Sequence, residues 1–350
     1  APVELGYEPD DWRDPFVFKI ENENKFGMLV TARKNNGPTN FRGCIVFASS
    51  PDLINWKVEK TLWAPDCYYA IECSDLFKMD DKYYLVYSAF SESPFTHYRF
   101  ADLPAGPWKR SREDTFDGPM YYAAKTAFDG KKRFLFGWVA TKEGGKDTGK
   151  WQWGGNLVVH EIRKHKDDSL VVRMPRKIRE SFARKHNCTA EPLSGNWKID
   201  KTKNNFSAFS IARRSVLSLG ILPDPCLIEM YVSYQKCGAV FGLLINGDKD
   251  FNSTHVLKFD ASQKRMTITK MPAPNDSLMR VEKQVDLKVG RSIQIRVCIS
   301  GSCIVAYVDD EIALSGRIYE PAGRQLGLFA TDGNVFFNGV SVKVLPDSSQ

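Results

Sequence analysis

Short apolar runs rich in aromatic residues, separated by polar turns, recur through the first half of this chain and leave little room for helices. They are Phe16-Val17-Phe18, Phe26 to Ala32, Cys44 to Ala48, Tyr83 to Tyr87, Phe134 to Val139 and Leu157 to His160. Each has strand length, and few segments before residue 190 sustain a helical period, so the expected class is all-β. A polar turn leads into an aromatic strand at Asp14-Pro15-Phe16, at Asp75-Leu76-Phe77 and at Asp129-Gly130-Lys131 ahead of Phe134. Tyr83-Tyr84-Leu85-Val86-Tyr87-Ser88 and Phe134-Leu135-Phe136-Gly137-Trp138 read as equivalent inner strands of successive units. Units of about fifty to sixty residues suit the four-stranded blade of a β-propeller. Ser50 to Trp56 reads as a turn whose tryptophan caps a blade's outer edge.

From Pro175 to Gly195 the chain turns basic and polar, with Arg176, Lys177, Arg179, Arg184 and Lys185, and reads as a linker. Beyond it, Leu227 to Ser233, Ala239 to Asn246, His255 to Asp260, Met266 to Thr269, Ser292 to Ile299 and Ile304 to Val308 alternate apolar and polar residues. That alternation predicts an antiparallel β-sandwich. The expected domains are blades of a propeller over 1–190 and a sandwich over 191–350.

A chain of 350 residues is long enough for two cores. Its net charge of +7 is spread over short clusters such as Lys131-Lys132-Arg133, without the dense basic stripe of a nucleic-acid surface. No apolar run approaches the roughly 18 residues of a membrane span. Eight cysteines are too dilute for a disulfide scaffold, although Cys298 and Cys303 flank Gly301 in an apparent hairpin where one bridge would fit. No CxxC pair suggests a metal, and no cofactor is expected. Sequons begin at Asn187, Asn205, Asn252 and Asn275, and the compartment, secreted or cytoplasmic, is left open. The first residue is Ala1 and no signal-like segment follows it, so an upstream portion is expected to have been removed.

Unusual chemistry gathers in two segments, Trp12-Arg13-Asp14-Pro15 and Ile71-Glu72-Cys73-Ser74-Asp75. Glycoside cleavage needs one carboxyl to protonate the leaving oxygen and another to attack or direct water. Glu72 follows the largely apolar Tyr68-Tyr69-Ala70-Ile71, an approach that favours a protonated acid. Asp14 beside Arg13 suits an ionised acceptor of sugar hydroxyls. Taken singly, an Asp before Pro is an ordinary turn residue, a Glu at a strand end is ordinarily solvated, and Cys73 is a small buried hydrophobe.

Read together, the segments resemble glycoside hydrolase family 32, which includes invertases, inulinases and levanases. Its Arg-Asp-Pro motif is matched by Arg13-Asp14-Pro15, and its Glu-Cys motif by Glu72-Cys73-Ser74-Asp75-Leu76-Phe77, with serine in place of proline. Asp117-Gly118-Pro119-Met120-Tyr121-Tyr122-Ala123, Phe134 to Trp138 and Met174-Pro175-Arg176 resemble later parts of the family's propeller. Cys303 to Val308, Ser315 to Tyr319 and Leu328-Phe329-Ala330 resemble its appended sandwich. The resemblance implies a five-bladed propeller with a sandwich, and retaining hydrolysis of β-fructofuranosides in sucrose or fructan. It implies Glu72 as general acid/base, Asp14 as transition-state stabiliser, and Arg13 as orienting Glu72 or substrate. Asp117, Tyr122 and Trp138 would line the pocket, or serve the structure.

The family's nucleophile is an aspartate in a Trp-Met-Asn-Asp-Pro-Asn-Gly type motif, which does not occur in this sequence. Asp10 and Asp11 lie too near Asp14 to take a station on a different blade. About 190 residues make three blades and part of a fourth, so the expectation is a fragment, or first blades that belong to another segment; the partner expected beside sucrose or a fructan is a second copy in a homodimer. Three readings compete: a fructan-active glycosidase, a noncatalytic sugar-binding relative, and a furanosidase acting on another sugar such as arabinose.

Overall fold

The computed structural model describes residues 1–20, 23–273 and 281–346. Almost all of the regular structure is strand, and the chain divides into two compact units, 1–138 with 157–171 and 139–156 with 172–350. The sequon at Asn275 lies outside the described residues.

Unit 1 is built from successive sheets. The first runs in chain order through β1 (Tyr7–Lys19), β2 (Phe26–Lys34), β3 (Gly43–Ser50) and β4 (Lys57–Trp63). The second is β5 (Glu72–Met79), β6 (Lys82–Ala89) and β7 (Phe95–Ala101). The third is β8 (Tyr121–Phe128), β9 (Arg133–Lys142), β10 (Trp151–Lys164) and β11 (Leu170–Arg173), with the distal parts of β9 and β10 clustering in unit 2. Each predicted aromatic run lies in one of these strands, because a strand buried on both faces is apolar almost throughout. Leu29 and Ile45 of the first sheet meet Leu85, Tyr87 and Ala89 of the second, and Ile71 just ahead of β5, in one core. The sheets stack as blades of a partial propeller.

The phrases read as equivalent inner strands, Tyr83 to Ser88 and Phe134 to Trp138, both fall on the second strand of their sheets, β6 and β9, which have a neighbour on each side. The first strands lie against one another, β1 against β5 and β5 against β8, and β5 and β8 also meet the second strands β2 and β6. Gly137 of β9 is required by close packing, since a Cβ there would come within 2.5 Å of the Tyr121 ring. Between β3 and β4, Asp52 caps the predicted turn by accepting from the amides of Ile54 and Asn55 at 2.9 and 2.7 Å, and Trp56 Nε1 donates to Leu53 O.

The stretch expected to be a linker is structured: a short helix, α1 (Arg176–Ser181), then β12 (Arg184–His186) and β13 (Glu191–Ser194). The sandwich continues through β14 (Asn196–Asp200), β15 (Asn205–Ile221), β16 (Cys226–Tyr234), β17 (Val240–Gly247), β18 (Thr254–Asp260) and β19 (Arg265–Met271). It closes with β20 (Val281–Gln284), β21 (Ile293–Ser300), β22 (Cys303–Val308), β23 (Ile312–Arg317) and β24 (Gln325–Val344). The long β24 joins its halves: β15 lines one edge of it, while the other edge pairs first with β17 and then with β16. Phe241, Leu257, Phe259, Ile295, Val297, Leu328 and Phe337 fill the core between them. The Cys298–Cys303 bridge is not formed. In the β21–β22 hairpin Cys298 stands opposite Val305 and Cys303 opposite Ser300, so the two do not face each other across the ladder.

Candidate active site

The three first strands of unit 1 break in the same way. Arg13 in β1, Glu72 in β5 and Tyr122 in β8 each precede a residue in left-handed backbone: Asp14 at φ 54°, Cys73 at 51° and Ala123 at 53°. Ladder register slips between Arg13 and Phe16, and again between Glu72 and Asp75. Such a conformation costs a non-glycine residue about 1–2 kcal/mol, and bulges of this kind re-aim side chains beside functional sites. In β5 and β8 the amide of the left-handed residue is taken up by the preceding sheet. Cys73 N donates to Asp14 Oδ2 at 3.1 Å, and Ala123 N to Ser88 Oγ at 3.0 Å.

The three re-aimed side chains meet. Arg13 Nη2 donates to Glu72 Oε1 at 2.7 Å, and Tyr122 Oη donates to Glu72 Oε2 at 2.6 Å. The Glu72 and Arg13 side chains keep 12% and 34% of their surface exposed, so a ligand can reach both. Burial alone would weaken the Arg13 cation, but Glu72 and Asp11 outweigh it and raise its pKa. Burial, and then the Glu72 carboxylate, push the Tyr122 phenol far above its ordinary value, so it stays a donor. The Trp138 ring lies 5.4 Å from that of Tyr122 and holds it from behind.

Asp14 completes the arrangement. Its Oδ2 takes the Cys73 amide, and the Thr31 hydroxyl stands 3.5 Å away while donating to Ile71 O at 2.8 Å. Oδ1 takes part in none of these bonds. Burial and the neighbouring Asp14 push the Cys73 thiol up to about 12, which makes it a poor nucleophile at neutral pH. Lys125, whose cation burial disfavours, donates to Ser74 O at 2.8 Å and fixes the strand just past the bulge.

Asp117 is placed elsewhere. Its carboxylate is wholly enclosed, with Oδ2 2.9 Å from His160 Nε2 and Oδ1 accepting the Gly118 amide. Sequence reasoning missed the charged groups behind Arg13. Asp11 pairs with both Arg13 and Arg33, and Glu8 pairs with Arg33 and Arg42. Arg33, at the end of the apolar run Met28 to Ala32, was the available signal, since an arginine there must be matched by buried acceptors. Among the described residues no group of three or more His, Cys, Asp or Glu side chains is placed to hold a metal ion.

Residues 3–174 match the model for the glycosyl hydrolases family 32 N-terminal domain. Sucrose-6-phosphate hydrolase from Escherichia coli is 22% identical over 347 residues, spanning 92% of this chain, which in turn covers 64% of that relative's length. Among solved structures, exo-inulinase from Aspergillus awamori superposes with a TM-score of 0.72 at 13% identity, covering 99% of this chain and 69% of its own. Fructan 1-exohydrolase IIa from Cichorium intybus gives 0.71 at 17% identity, covering 97% and 73%. At these identities the structural likenesses establish a shared fold.

Proposed function

The chain belongs to glycoside hydrolase family 32, and from that premise we propose that it serves the retaining cleavage of β-fructofuranosidic bonds in sucrose or a fructan. The observation that carries the proposal is the convergence of Arg13, Glu72 and Tyr122 from three separate strands onto one carboxylate, with Asp14 beside it.

In this reading Glu72 is the general acid/base. It protonates the glycosidic oxygen as the fructosyl bond breaks and later takes the proton from the incoming water. Asp14 accepts hydrogen bonds from fructose hydroxyls and favours the positive charge that develops on the sugar ring. Arg13 and Tyr122 orient Glu72, Trp138 packs against Tyr122, and Asp117 holds His160, whose ring lies 4.8 Å from that of Tyr121, the residue before Tyr122. The covalent step requires a further carboxylate at the anomeric carbon, and the family's motif for it does not occur in residues 1–350. The blades over 1–190 would hold the sugar, with 191–350 as the appended sandwich. Relatives named for sucrose-6-phosphate, inulin and fructan hydrolysis favour a fructoside over another furanoside.

The test is release of free fructose from sucrose, inulin and levan by this 350-residue chain and by the product of its whole reading frame. Fructose release that Glu72→Gln abolishes, with folding intact, is the expected result. No release by either protein would reject the hydrolase and leave a sugar-binding relative.

A further inference from the structure

We infer that Asp11 is a positioning residue for Glu72, acting through Arg13 by dividing the charge of its guanidinium and fixing its direction. The inference rests on reading Glu72 as the acid/base.

Arg33 is the fixed point. It is 1% exposed, donates to Tyr69 O at 2.6 Å, Thr39 O at 3.0 Å and Glu8 Oε2 at 2.6 Å, and lies 3.7 Å over the Tyr69 ring. Asp11 Oδ2 is 3.1 Å from Arg33 Nε, and its other oxygen accepts from Arg13 Nη1. Arg13 Nη2 then reaches Glu72 Oε1. The signs alternate along the path Arg33, Asp11, Arg13, Glu72, so the buried arginine of β2 decides where the half-exposed arginine of β1 points.

The arrangement answers a chemical difficulty. A guanidinium bonded to a single carboxylate favours the anion, whereas a general acid must carry its proton when the reaction starts. Asp11 on the opposite edge of the same guanidinium takes up part of that charge, so Arg13 orients Glu72 without pinning it as a carboxylate. Tyr122 on β8 donates to Glu72, Cys73 stands beside it on β5, and Asp14 on β1 and Lys125 on β8 face Cys73; Asp11 is the carboxylate that contacts both Arg13 and the buried Arg33.

The experiment follows the Glu72 carboxyl directly, as the infrared band of the 350-residue chain that Glu72→Gln removes, titrated in wild type, Asp11→Asn and Asp11→Glu. Asp11→Asn keeps the shape and deletes the charge, and should move the band's protonation midpoint down by about one pH unit, roughly tenfold in proton affinity. Asp11→Glu should restore it, and a merely structural role would not move it. An unchanged or raised midpoint overturns the inference. The alkaline limb of kcat/KM against pH, read on fructose release by the whole reading frame's product, should shift in the same direction. A moved midpoint with no cleavage by any variant would reject the hydrolase and leave Asp11's role standing; cleavage with an unmoved midpoint would do the reverse.

Discussion

At Glu72 two neutral or cationic donors share one carboxylate, and the hydroxyl of Tyr122 is the one that can be removed with least disturbance. Phenylalanine would keep the ring against Trp138 and leave Oε2 without its donor. A hydrogen bond to a charged group is worth about 1.5–3 kcal/mol, so Tyr122→Phe should lower kcat/KM by roughly ten- to a hundredfold with the near-ultraviolet circular dichroism unchanged. Undiminished turnover would reduce Tyr122 to packing. Cys73 gives a second expectation at this scale. With its thiol pushed up to about 12, alkylation by iodoacetamide at pH 8 should lag behind that of the exposed Cys237 by roughly a hundredfold or more, which peptide mass spectrometry would read; equal rates would show an ionised thiol. Arg13, Asp14, Glu72 and Tyr122 were singled out in the sequence by segments that resemble the family's motifs, and the structure brings these four side chains together. Asp11 was dismissed there as too close to Asp14, which is sound for a nucleophile but blind to a partner, since Arg33 reaches it from another strand. The enclosure of Asp117 was equally hidden, because His160 lies 43 positions away.

The bulges that build the site also explain which strands could be read. The second strand β6 pairs with β7 without a register slip and, like β9, carries a clear apolar run. The first strands β1 and β5 trade alternation for a register slip and polar residues, so their pattern is weak where their function is strong. The basic stretch before residue 195 misled for a related reason: β12 pairs with β24, about 160 positions distant by register, and three residues, two of them exposed, show no pattern of their own. The left-handed residue of β8 offers a direct test of the shared bulge. Ala123→Gly removes the steric cost of φ 53° and should leave stability unchanged or raise it by up to about 1 kcal/mol. Ala123→Val places a β-branched side chain in the same conformation and should lower stability by about 1–2 kcal/mol or more. Urea unfolding of both variants would read the difference, and equal effects would argue that the backbone relaxes and the bulge is not enforced.

Each unit has its own core, and unit 2 encloses a charged cluster that no strand pattern reveals. Asp147 Oδ2 lies 2.9 Å from His255 Nε2 and 2.7 Å from Lys270 Nζ, while Oδ1 accepts the Tyr319 amide at 2.7 Å. Lys142 Nζ donates to Asp147 O, and Asp147 N donates to Glu320, so one residue ties the 143–150 segment to β18, β19 and the chain beyond β23. Burial would push this carboxyl up, but His255 and Lys270 outweigh it and hold it below the ordinary aspartate value. A carboxyl lowered by folding contributes stability that is complete above its unfolded-state pKa, near 3.9, and is lost as the pH falls through the lower folded value. Removing one partner of a buried pair costs about 3–5 kcal/mol, so Asp147→Ala should destabilise the protein by that order at pH 7. Because the wild-type protein loses the same interaction on protonation, the gap between the two should narrow as the pH is lowered below about 4. Urea unfolding across that range measures it, and a gap that stays constant with pH would mean that Asp147 acts through its packing and its bond to the Tyr319 amide, with its charge contributing little.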